Sequence, residues 1–493
     1  MILRLVRASV RQRSGRSALL LGGYALGVGV TIVLLSVGQA MVDQARDREL
    51  LGGGDLIVLP EGIDLETLRT GGASSMYFSV EQATLIYREV LAGTRFDDRM
   101  AAAAPWIDDE LLYLDTDSGL VPISAGATLP GAAVDLGAAP DLLAGAWGDL
   151  DADRTWRAPS TADFYRSIDG LHLPRGPAAQ DTTWAEWHYF NVMLPDSGWL
   201  YLTYMVGGDA PDGRWGGRVL ATRVAPESGR AMVYSVEVGS ASVAFDEGHP
   251  DLVIGQSSVT IEADGSYRLR ARVPLESRPT ASSALAPLTV DLIVSERTRR
   301  YLPPVDIGSS DFVSGYTVPL LDGLATGQVC EGARCQRLDG ARSYHDHNWG
   351  TWSSVTWDWG QARAGPYSVL YGGIARETDG DANATQGGQF LYLADEHGFA
   401  GVFTIRELIT LWPGREGQGT PAAIAIHADN GPDSLALSVT VGHTQVTLGP
   451  VAQDGPPALF YQMRGTLELS GRLFGTEIQE SGDGFFETWT RGR

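Results

Sequence analysis

The sequence predicts a mainly β protein with two antiparallel β-barrels in tandem, and three observations lead to this prediction. Apolar and polar residues alternate in segments such as 267–273 and 288–295, which is typical of half-buried strands. The 61 glycines and 25 prolines are spread along the chain and supply frequent turns. The strand-rich part, roughly 300 residues from Trp184 onward, is too long for one small barrel.

The composition limits the classes of function. The chain of 493 residues has 44% hydrophobic and 20% charged residues, the balance of a folded protein with two or three domains. Its formal net charge is -23, so nucleic acid is not expected as a partner, because phosphate binding needs clustered cations. The sequence contains no lysine, which excludes Schiff-base and P-loop lysine chemistry.

The N-terminal segment predicts a single-pass membrane anchor. The uncharged apolar run at residues 18–38 has about the 20 residues that a helix needs to cross a bilayer. Arginines precede this run, so residues 1–17 are expected in the cytoplasm and the bulk of the chain is expected to be extracytoplasmic. A cleavable signal peptide is the alternative, because Gly38-Gln39-Ala40 resembles a small-residue cleavage site.

Residues 39–150 are predicted to form a small α+β juxtamembrane module. The segment from Ser79 to Ala92 has a capping-box pattern and an apolar stripe, both typical of a helix, and short strand-like pieces follow it. We interpret this module as a spacer. Two β domains are predicted after it, at residues 151–350 and 351–493.

The sequence has two cysteines, Cys330 and Cys335, with Gly332 in the loop between them. A local hairpin disulfide fits this spacing in an oxidising compartment. Two free thiols or half of a metal site are the alternatives. The predicted export of the chain favours the disulfide.

Titratable groups and large aromatic rings are densest around one stretch, which is the candidate chemical centre. Residues 344–350 read Tyr-His-Asp-His-Asn-Trp-Gly, and further tryptophans follow closely. On a strand, His345 and His347 point to one face and Asp346 points to the other. The three side chains therefore do not share one function unless the chain bends.

Three segments carry a resemblance to a known family: Glu186–Asn191, Ser314–Pro319 and Tyr344–Gly350. Together they resemble markers of the AttH / carotenoid 1,2-hydratase (hydroxyneurosporene synthase) family, over about residues 156–493. That family usually has a second tryptophan where this chain has His188. The resemblance implies that both β domains are lipocalin-like (calycin) barrels.

The resemblance implies two different activities. Hydratase members add water across a terminal isoprenoid double bond without a cofactor, whereas AttH-type members are extracytoplasmic proteins associated with ABC exporter genes. The first 75 or so residues resemble the start of FtsX-like permeases of the macrolide-exporter class, which favours the AttH type. No later segment is long enough to span a membrane, so transport itself is not predicted.

Hydration of an alkene needs an acid, a positioned water and a wall that stabilises a carbocation. Asp346 or Asp358 is the candidate acid, because burial among indole rings raises a carboxyl pKa. His345 or His347 is the candidate for orienting water or recycling the proton. The candidate ligand-binding residues are Trp349, Trp352, Trp357, Trp359, Tyr344, Glu186, Trp187, His188 and Tyr189.

Two other interpretations of the His-Asp-His stretch stay open. Its side chains can hydrogen-bond to buried backbone where the two barrels join, without a chemical role. Alternatively, His345 and His347 can hold zinc if His188 or Glu186 supplies the third protein ligand that a catalytic site needs. We predict neither a metal nor a cofactor.

The sequence-based hypothesis is a membrane-anchored, extracytoplasmic protein whose barrels bind a hydrophobic small molecule. A lipid, an isoprenoid or a secondary metabolite handled with an ABC exporter fits this hypothesis. The alternatives are a cofactor-independent hydratase or cyclase acting on an isoprenoid-like alkene, and a structural accessory subunit of a permease.

Overall fold

The computed structural model describes most of the β-rich part of the chain and portions of the N-terminal part. The described residues are 14–44, 83, 85–87, 95, 99–116, 119–136, 160–172, 184–196, 198–209, 214–225, 231–245, 249–276, 286–297, 301–309, 312–351, 355–376, 389–413, 419–448 and 458–491. The chain divides into two compact units. They are Met1–Ser79 with Asp98–Asp153, and Val80–Asp97 with Arg154–Arg493.

The first unit contains two helices and one β-hairpin among its described residues. They are α1 (Ser14–Gln44), β1 (Trp106–Thr116), β2 (Gly119–Thr128) and α2 (Pro130–Asp135). Strands β1 and β2 pair antiparallel, and Gly119 turns the chain with a φ of 107°. Among the residues that the structure describes, no helix is both long and apolar enough to cross a membrane. The predicted helix at 79–92 lies largely outside the described residues.

The second unit begins with helix α3 (Thr161–Ile168) and continues as a large antiparallel sheet. The strands of this sheet are β3 (Trp184–Met193), β4 (Trp199–Asp209), β5 (Arg214–Val224), β6 (Ala231–Gly239), β7 (Val243–Phe245), β8 (Leu252–Ile254), β9 (Ser257–Ile261), β10 (Tyr267–Val273), β11 (Leu288–Glu296), β12 (Leu302–Ser309), β13 (Phe312–Glu331) and β14 (Arg334–Thr351). Buried and less buried residues alternate along β10 and β11, as their sequence pattern predicts.

The first sheet is nearly closed: among the described residues, its end strands β6 and β7 do not pair with each other. Its strand order is β6-β5-β4-β3-β14-β13-β11-β10-β9-β8-β7, and β12 pairs with β13 off this path. Strands β7 and β8 at one end have only three residues each. Strands this short have few backbone groups with which to form a ladder to β6.

The second β domain is a closed barrel of eight strands in sequence order, as predicted. The strands are β15 (Val355–Ala364), β16 (Tyr367–Arg376), β17 (Phe390–Asp395), β18 (Gly398–Leu411), β19 (Ala423–Asp429), β20 (Ser434–Leu448), β21 (Ala458–Leu473) and β22 (Thr476–Arg491). Strand β22 pairs with β15 and closes the ring, so this domain has no free sheet edge. Its interior is packed with buried apolar side chains such as Leu393, Phe403 and Met463.

A third apolar core lies between the first sheet and the barrel, and we call this region the seam. The sheet contributes buried rings such as Tyr189 and Tyr344, and the barrel contributes Trp359, Tyr392 and Phe485. The inner core of the sheet is separate and includes Phe190, Tyr267 and Leu269. The outer faces of β3 and β14 therefore contact the seam, while their inner faces contact the core of the sheet.

The predicted disulfide between Cys330 and Cys335 is present. It joins directly paired residues of β13 and β14 at the end of their hairpin.

We expect the Cys330→Ser/Cys335→Ser variant to lose about 2 kcal/mol of unfolding free energy, because a loop of this length restricts the unfolded chain only modestly. Urea unfolding measures this loss. Reductant should lower the stability of the wild type to that of the variant; an unaffected wild type would contradict the prediction.

Candidate functional site

Strands β3 and β14 are neighbours, and their register decides which side chains meet. His347 pairs with His188, and Asp346 pairs with Tyr189. Because directly paired residues share a face of a sheet and successive residues alternate, the side chains of the His-Asp-His stretch separate. His345 and His347 point into the core of the sheet, and Asp346 points into the seam, which is the separation predicted from strand geometry.

The inner faces of β3 and β14 form a buried polar group, the histidine cluster. Its members are Asp169, His172, Glu186, His188, Tyr267, His345 and His347. Strands β3, β10 and β14 supply five of these residues, and the other two lie in the segment after α3. Aromatic side chains of the core contact it, including Phe190, whose ring stacks on His345 at 4.0 Å.

Asp169 is the centre of the histidine cluster. It is fully buried at the C-terminal end of α3. Its Oδ1 lies 2.8 Å from His347 Nδ1, and its Oδ2 lies 3.1 Å from His345 Nε2. The hydroxyl of Tyr267 donates a hydrogen bond of 2.6 Å to the same Oδ2. Both carboxylate oxygens are thus held from β10 and β14.

His347 lies between two carboxylates. Its Nδ1 contacts Asp169, and its Nε2 is 2.9 Å from Glu186 Oε1. Both partners accept hydrogen bonds, so the ring satisfies both as a doubly protonated imidazolium. Burial alone would lower the pKa of His347, but the two carboxylates outweigh it and raise that pKa to about 9. The buried positive charge is therefore matched by neighbouring negative charge.

His345 has a different arrangement. Its Nδ1 lies 3.0 Å from the backbone oxygen of Tyr189, and because a carbonyl oxygen only accepts, this nitrogen carries a proton. Its Nε2 faces Asp169 Oδ2, and two lone pairs would repel there. A second proton or a cation between the two atoms resolves the repulsion. Burial would raise the pKa of Asp169, but its interactions with the neighbouring histidines, His345 first, hold that pKa below its usual value.

The histidine cluster reaches the surface at His172, whose side chain is 44% exposed. The backbone N–H of His172 donates to both oxygens of Glu186, at 2.7 and 2.9 Å. Its ring stacks on Trp349 at 4.0 Å. Trp349 in turn covers Gly315, where a Cβ atom would lie 2.3 Å from the indole. A chain of polar contacts thus connects solvent at His172 with Asp169 through Glu186 and His347.

His188 is the exception in the histidine cluster. It is fully buried, yet neither ring nitrogen has a partner at hydrogen-bond geometry within the part of the chain that the structure describes. Asp169 Oδ2 is 3.8 Å from its Nδ1, and the Pro250 carbonyl also approaches the ring. Burial, together with the positive charge of His347, lowers the pKa of His188 well below its usual value, so the ring is neutral.

Within the described part of the chain, two sets of three side chains have a geometry that can hold a metal ion. One set is Asp169, His188 and His345; the other is His172, Glu186 and His347. In each set the ligand atoms lie within 4.8 Å of one another.

On the outer face, Asp346 belongs to a second group of residues, the seam cluster. Its members are Asp346, Glu487, Tyr189, Tyr201, Tyr344 and Trp359. The sheet supplies four of them, while the barrel supplies Glu487 from β22 and Trp359 from β15. The indole N–H of Trp359 donates a hydrogen bond of 2.8 Å to the Tyr344 hydroxyl, which links the two domains.

Asp346 is a buried carboxyl group on the seam. Burial raises its pKa well above the usual value, and the charge of Glu487 raises it further, although hydrogen bonds from Tyr344 and Asn348 oppose the rise. The Asn348 amide donates a bond of 2.6 Å to Asp346 Oδ1. Asp346 is therefore a neutral acid near neutral pH, with a proton to give.

Glu487 is half-buried, but its Oε1 is shielded from solvent and has no partner at hydrogen-bond geometry. Burial raises the pKa of this carboxyl to about 7, although the nearby Tyr189 hydroxyl and Gln462 amide partly offset the rise. A carboxyl with this pKa exchanges protons readily at neutral pH. Glu487 and Asp346 thus form a pair of acids that differ in their environment.

Aromatic rings form the walls around these two acids. Tyr316 contacts Trp359 edge-on at 5.0 Å, and it stacks on Phe390 at 6.1 Å. Trp359 covers Gly372, where a Cβ atom would lie 2.4 Å from its ring. A crevice of about 10 Å³, room for about one water molecule, borders the seam and is lined partly by Phe485.

The pKa of Glu487 predicts how stability changes with pH. Its folded-state pKa is raised from 4.5 to about 7. Its contribution to stability is fully present below pH 4.5 and is lost as the pH rises through about 7. We expect the free energy of unfolding of Glu487→Gln not to show this decrease as the pH rises through about 7. The contributions of the other titratable groups should be unchanged. Thermal unfolding of both proteins from pH 4 to 8 measures the difference, and parallel profiles would contradict the assigned pKa.

The residues that the sequence singled out fall into three places. His345, His347, His188, Glu186 and Trp349 belong to the histidine cluster or contact it, whereas Asp346, Tyr344, Tyr189, Trp187, Trp357 and Trp359 lie at the seam. Asp358 lies on the opposite face of β15 from Trp359 and accepts a hydrogen bond from Thr488 at 2.8 Å. It is thus apart from both clusters. Trp352 lies outside the described residues.

Sequence reasoning missed Asp169, His172, Tyr267, Tyr201 and Glu487. Asp169 has only a weak signal, an isolated acidic residue after a short amphipathic helix. Glu487 stands among aromatic residues in the last strand, a setting that resembles the stretch around Asp346.

Comparisons with known proteins give only distant similarities. No protein-family model matches the chain, and no curated protein matches it. An AttH protein from Nitrosomonas europaea is 16% identical, with a TM-score of 0.43, over 66% of this chain and 98% of its own. The protein CghA, solved with Sch210972, is 14% identical, with a TM-score of 0.44, over 66% and 95%.

Kievitone hydratase from Nectria haematococca is 13% identical, with a TM-score of 0.40, over 65% of this chain and 94% of its own. None of the comparisons supports the predicted resemblance of the N-terminal segment to an exporter permease. Because these similarities are distant, the function of this chain is argued from its own residues.

Proposed function

We propose that the seam between the first sheet and the barrel binds an apolar, alkene-containing small molecule and adds water to its double bond. One observation carries this proposal: Asp346 and Glu487, two carboxyls with raised pKa values, lie in an aromatic region between two domains. Carboxyl groups without a chemical role are usually exposed to solvent or, if they are buried, paired with a cation. Keeping an acid neutral among aromatic rings is a way of making it a proton donor.

The proposed reaction has three balanced steps. The O–H of Asp346 donates its proton to the less substituted carbon of the double bond, and the π electrons form the new C–H bond. The resulting tertiary cation is stabilised by the faces of Trp359, Tyr316 and Tyr344, by about 0.5–2 kcal/mol per ring. Water then bonds to the cation and gives a proton to the Glu487 carboxylate. A final proton transfer from Glu487 to Asp346 restores both groups.

Tyr189 supports the exchange of protons between the two acids. Its hydroxyl is buried, and burial first, followed by the neighbouring Glu487 carboxyl, raises its pKa. A phenol that stays protonated near both carboxyls can relay a proton once substrate and water align the three groups. This arrangement favours reversible addition of water over simple binding of a ligand.

Isotope labelling tests the proposed hydration. The purified full chain is incubated with squalene or lycopene, acyclic isoprenoids with terminal trisubstituted double bonds, in water enriched in ¹⁸O. We expect a tertiary alcohol that carries one ¹⁸O atom, detected by mass spectrometry. If either substrate binds without gaining oxygen, the seam is a binding site for hydrophobic molecules and the chain is not a hydratase.

Attachment to a membrane through α1 is a further part of this proposal. Tyr24, Leu26 and Val33 on α1 have exposed fractions of 77%, 72% and 60%, which is unusual for large apolar side chains. Alkaline extraction of membranes tests it, with Leu26→Arg/Val30→Arg as the variant expected to detach. The extracytoplasmic location and the association with an ABC exporter stay predictions.

A further inference from the structure

We propose that Asp169, His188 and His345 bind one divalent metal ion of the zinc class inside the first sheet. All three side chains are fully buried, and each offers one ligand atom to a common point. A carboxylate oxygen and two imidazole nitrogens are typical zinc ligands. This site is independent of the seam, because it lies on the opposite face of β3 and β14.

The distances between ligand atoms fit a metal ion. Asp169 Oδ2 lies 3.1 Å from His345 Nε2 and 3.8 Å from His188 Nδ1. Metal–ligand bonds of about 2.0–2.2 Å at tetrahedral angles place neighbouring ligand atoms about 3.3–3.5 Å apart. The two observed distances lie on either side of this value, so side-chain shifts of a few tenths of an ångström would accommodate the ion.

The neighbouring contacts orient the ligands as metal sites usually require. His345 donates from Nδ1 to the Tyr189 carbonyl, and this leaves the lone pair of Nε2 directed at Asp169. Metal-binding histidines commonly donate their other N–H to a carbonyl or carboxylate. His347 holds the second oxygen of Asp169 at 2.8 Å, which fixes the carboxylate plane.

His188 is the independent observation that points to a ligand. Among the described residues, neither of its buried ring nitrogens has a partner at hydrogen-bond geometry, although the Pro250 carbonyl approaches the ring. A buried polar group without a partner is destabilising, so such groups are rare in folded proteins. A metal ion bound to Nδ1 would satisfy one nitrogen and would also separate the facing lone pairs of Asp169 and His345.

The second set of side chains that could hold a metal ion, His172, Glu186 and His347, is less suitable as a metal site. The Glu186 carboxylate already accepts two hydrogen bonds from the backbone of His172. Both ring nitrogens of His347 are already used, at 2.8 Å from Asp169 and 2.9 Å from Glu186, so neither is free to bind an ion. The buried set is therefore the one to which the ion is assigned, where it would tie the end of α3 to β3 and β14.

The test uses the untagged full chain, with zinc counted by elemental analysis after dialysis. We expect about one zinc per chain, a lower thermal midpoint after treatment with a strong chelator, and visible absorption bands when cobalt(II) replaces zinc. His188→Phe keeps a planar aromatic ring at this position and cannot bind metal. This variant should hold no zinc, and chelator should leave its thermal midpoint unchanged.

His427→Ala is the matched control, because His427 is an exposed histidine on β19 and should not affect the zinc content. A folded wild type without zinc or cobalt bands would overturn the proposal, since the histidine cluster would then be charged by protons alone. Equal zinc in wild type and His188→Phe would also overturn it. The wild-type measurements decide the question even if His188→Phe does not fold.

Discussion

Asp346→Asn is expected to lower the rate of alkene hydration by about 10²–10⁴-fold, because an amide cannot supply the proton that starts the reaction. The substitution keeps the size of the side chain and removes only the acid. Binding of the substrate should change little, since the aromatic rings that contact it are unchanged. Turnover of squalene or lycopene in ¹⁸O-enriched water, measured with a binding assay on the same protein, separates the two effects.

Asp358→Asn is the comparison for this prediction. Asp358 stands between Trp357 and Trp359 in the sequence, but its side chain accepts a hydrogen bond from Thr488 on the other face of β15. We expect its turnover to stay within a few fold of the wild type. A large loss at Asp358 together with normal turnover at Asp346 would move the acid into the barrel and contradict the proposed site.

Asp169→Asn is expected to lower the free energy of unfolding by about 3–5 kcal/mol, the cost of removing one partner from a buried group of charges. The substitution leaves His347 with only one carboxylate and weakens the contacts of His345 and Tyr267. Urea unfolding monitored by tryptophan fluorescence measures the loss. The expectation holds for a cluster charged by protons and for one that contains a metal ion.

The pH dependence of the same variant adds a second measurement. His347 has a folded-state pKa raised from 6.5 to about 9, so its contribution to stability is present below pH 6.5 and is lost as the pH rises through about 9. Asp169 is one of the two carboxylates that cause this rise. As the pH rises from 6.5 to about 9, the free energy of unfolding of Asp169→Asn should therefore fall less than that of the wild type.

Asp291→Asn is the control for the effect of removing a carboxylate. Asp291 lies 3.1 Å from Arg268 on the outer side of the sheet, and both side chains are partly exposed. Exposed ion pairs contribute about 0–1 kcal/mol. If Asp169→Asn is no more destabilising than Asp291→Asn, the histidine cluster does not depend on the charge of Asp169.

Local sequence patterns predicted the parts of the fold that depend on neighbouring residues. The alternation in β10 and β11 follows from one buried face of the sheet. The closure of the barrel was also predicted. The nearly closed first sheet was not, because its two short end strands carry almost no periodic signal.

The candidate sites illustrate the same limit. Strand alternation correctly separated Asp346 from the two histidines, because that depends on adjacent residues only. The partner of His345 is Asp169, which is 176 positions away along the chain. Glu487 reaches the seam because β22 closes the barrel next to β15. Neither contact follows from spacing, since each depends on how separate elements pack.

Adjacent residues of strand β14 belong to different clusters: His345 and His347 lie on one face and Asp346 lies on the other. This alternation limits which insertions and deletions in the gene the protein can tolerate. Inserting or deleting one residue before His345 would reverse the facing of every later side chain in the strand. The histidines would then enter the seam, and Asp346 would enter the core on the side of the Asp169 and Glu186 carboxylates. The insertion or deletion of a single codon would therefore abolish both sites together, whereas a substitution can alter either site alone.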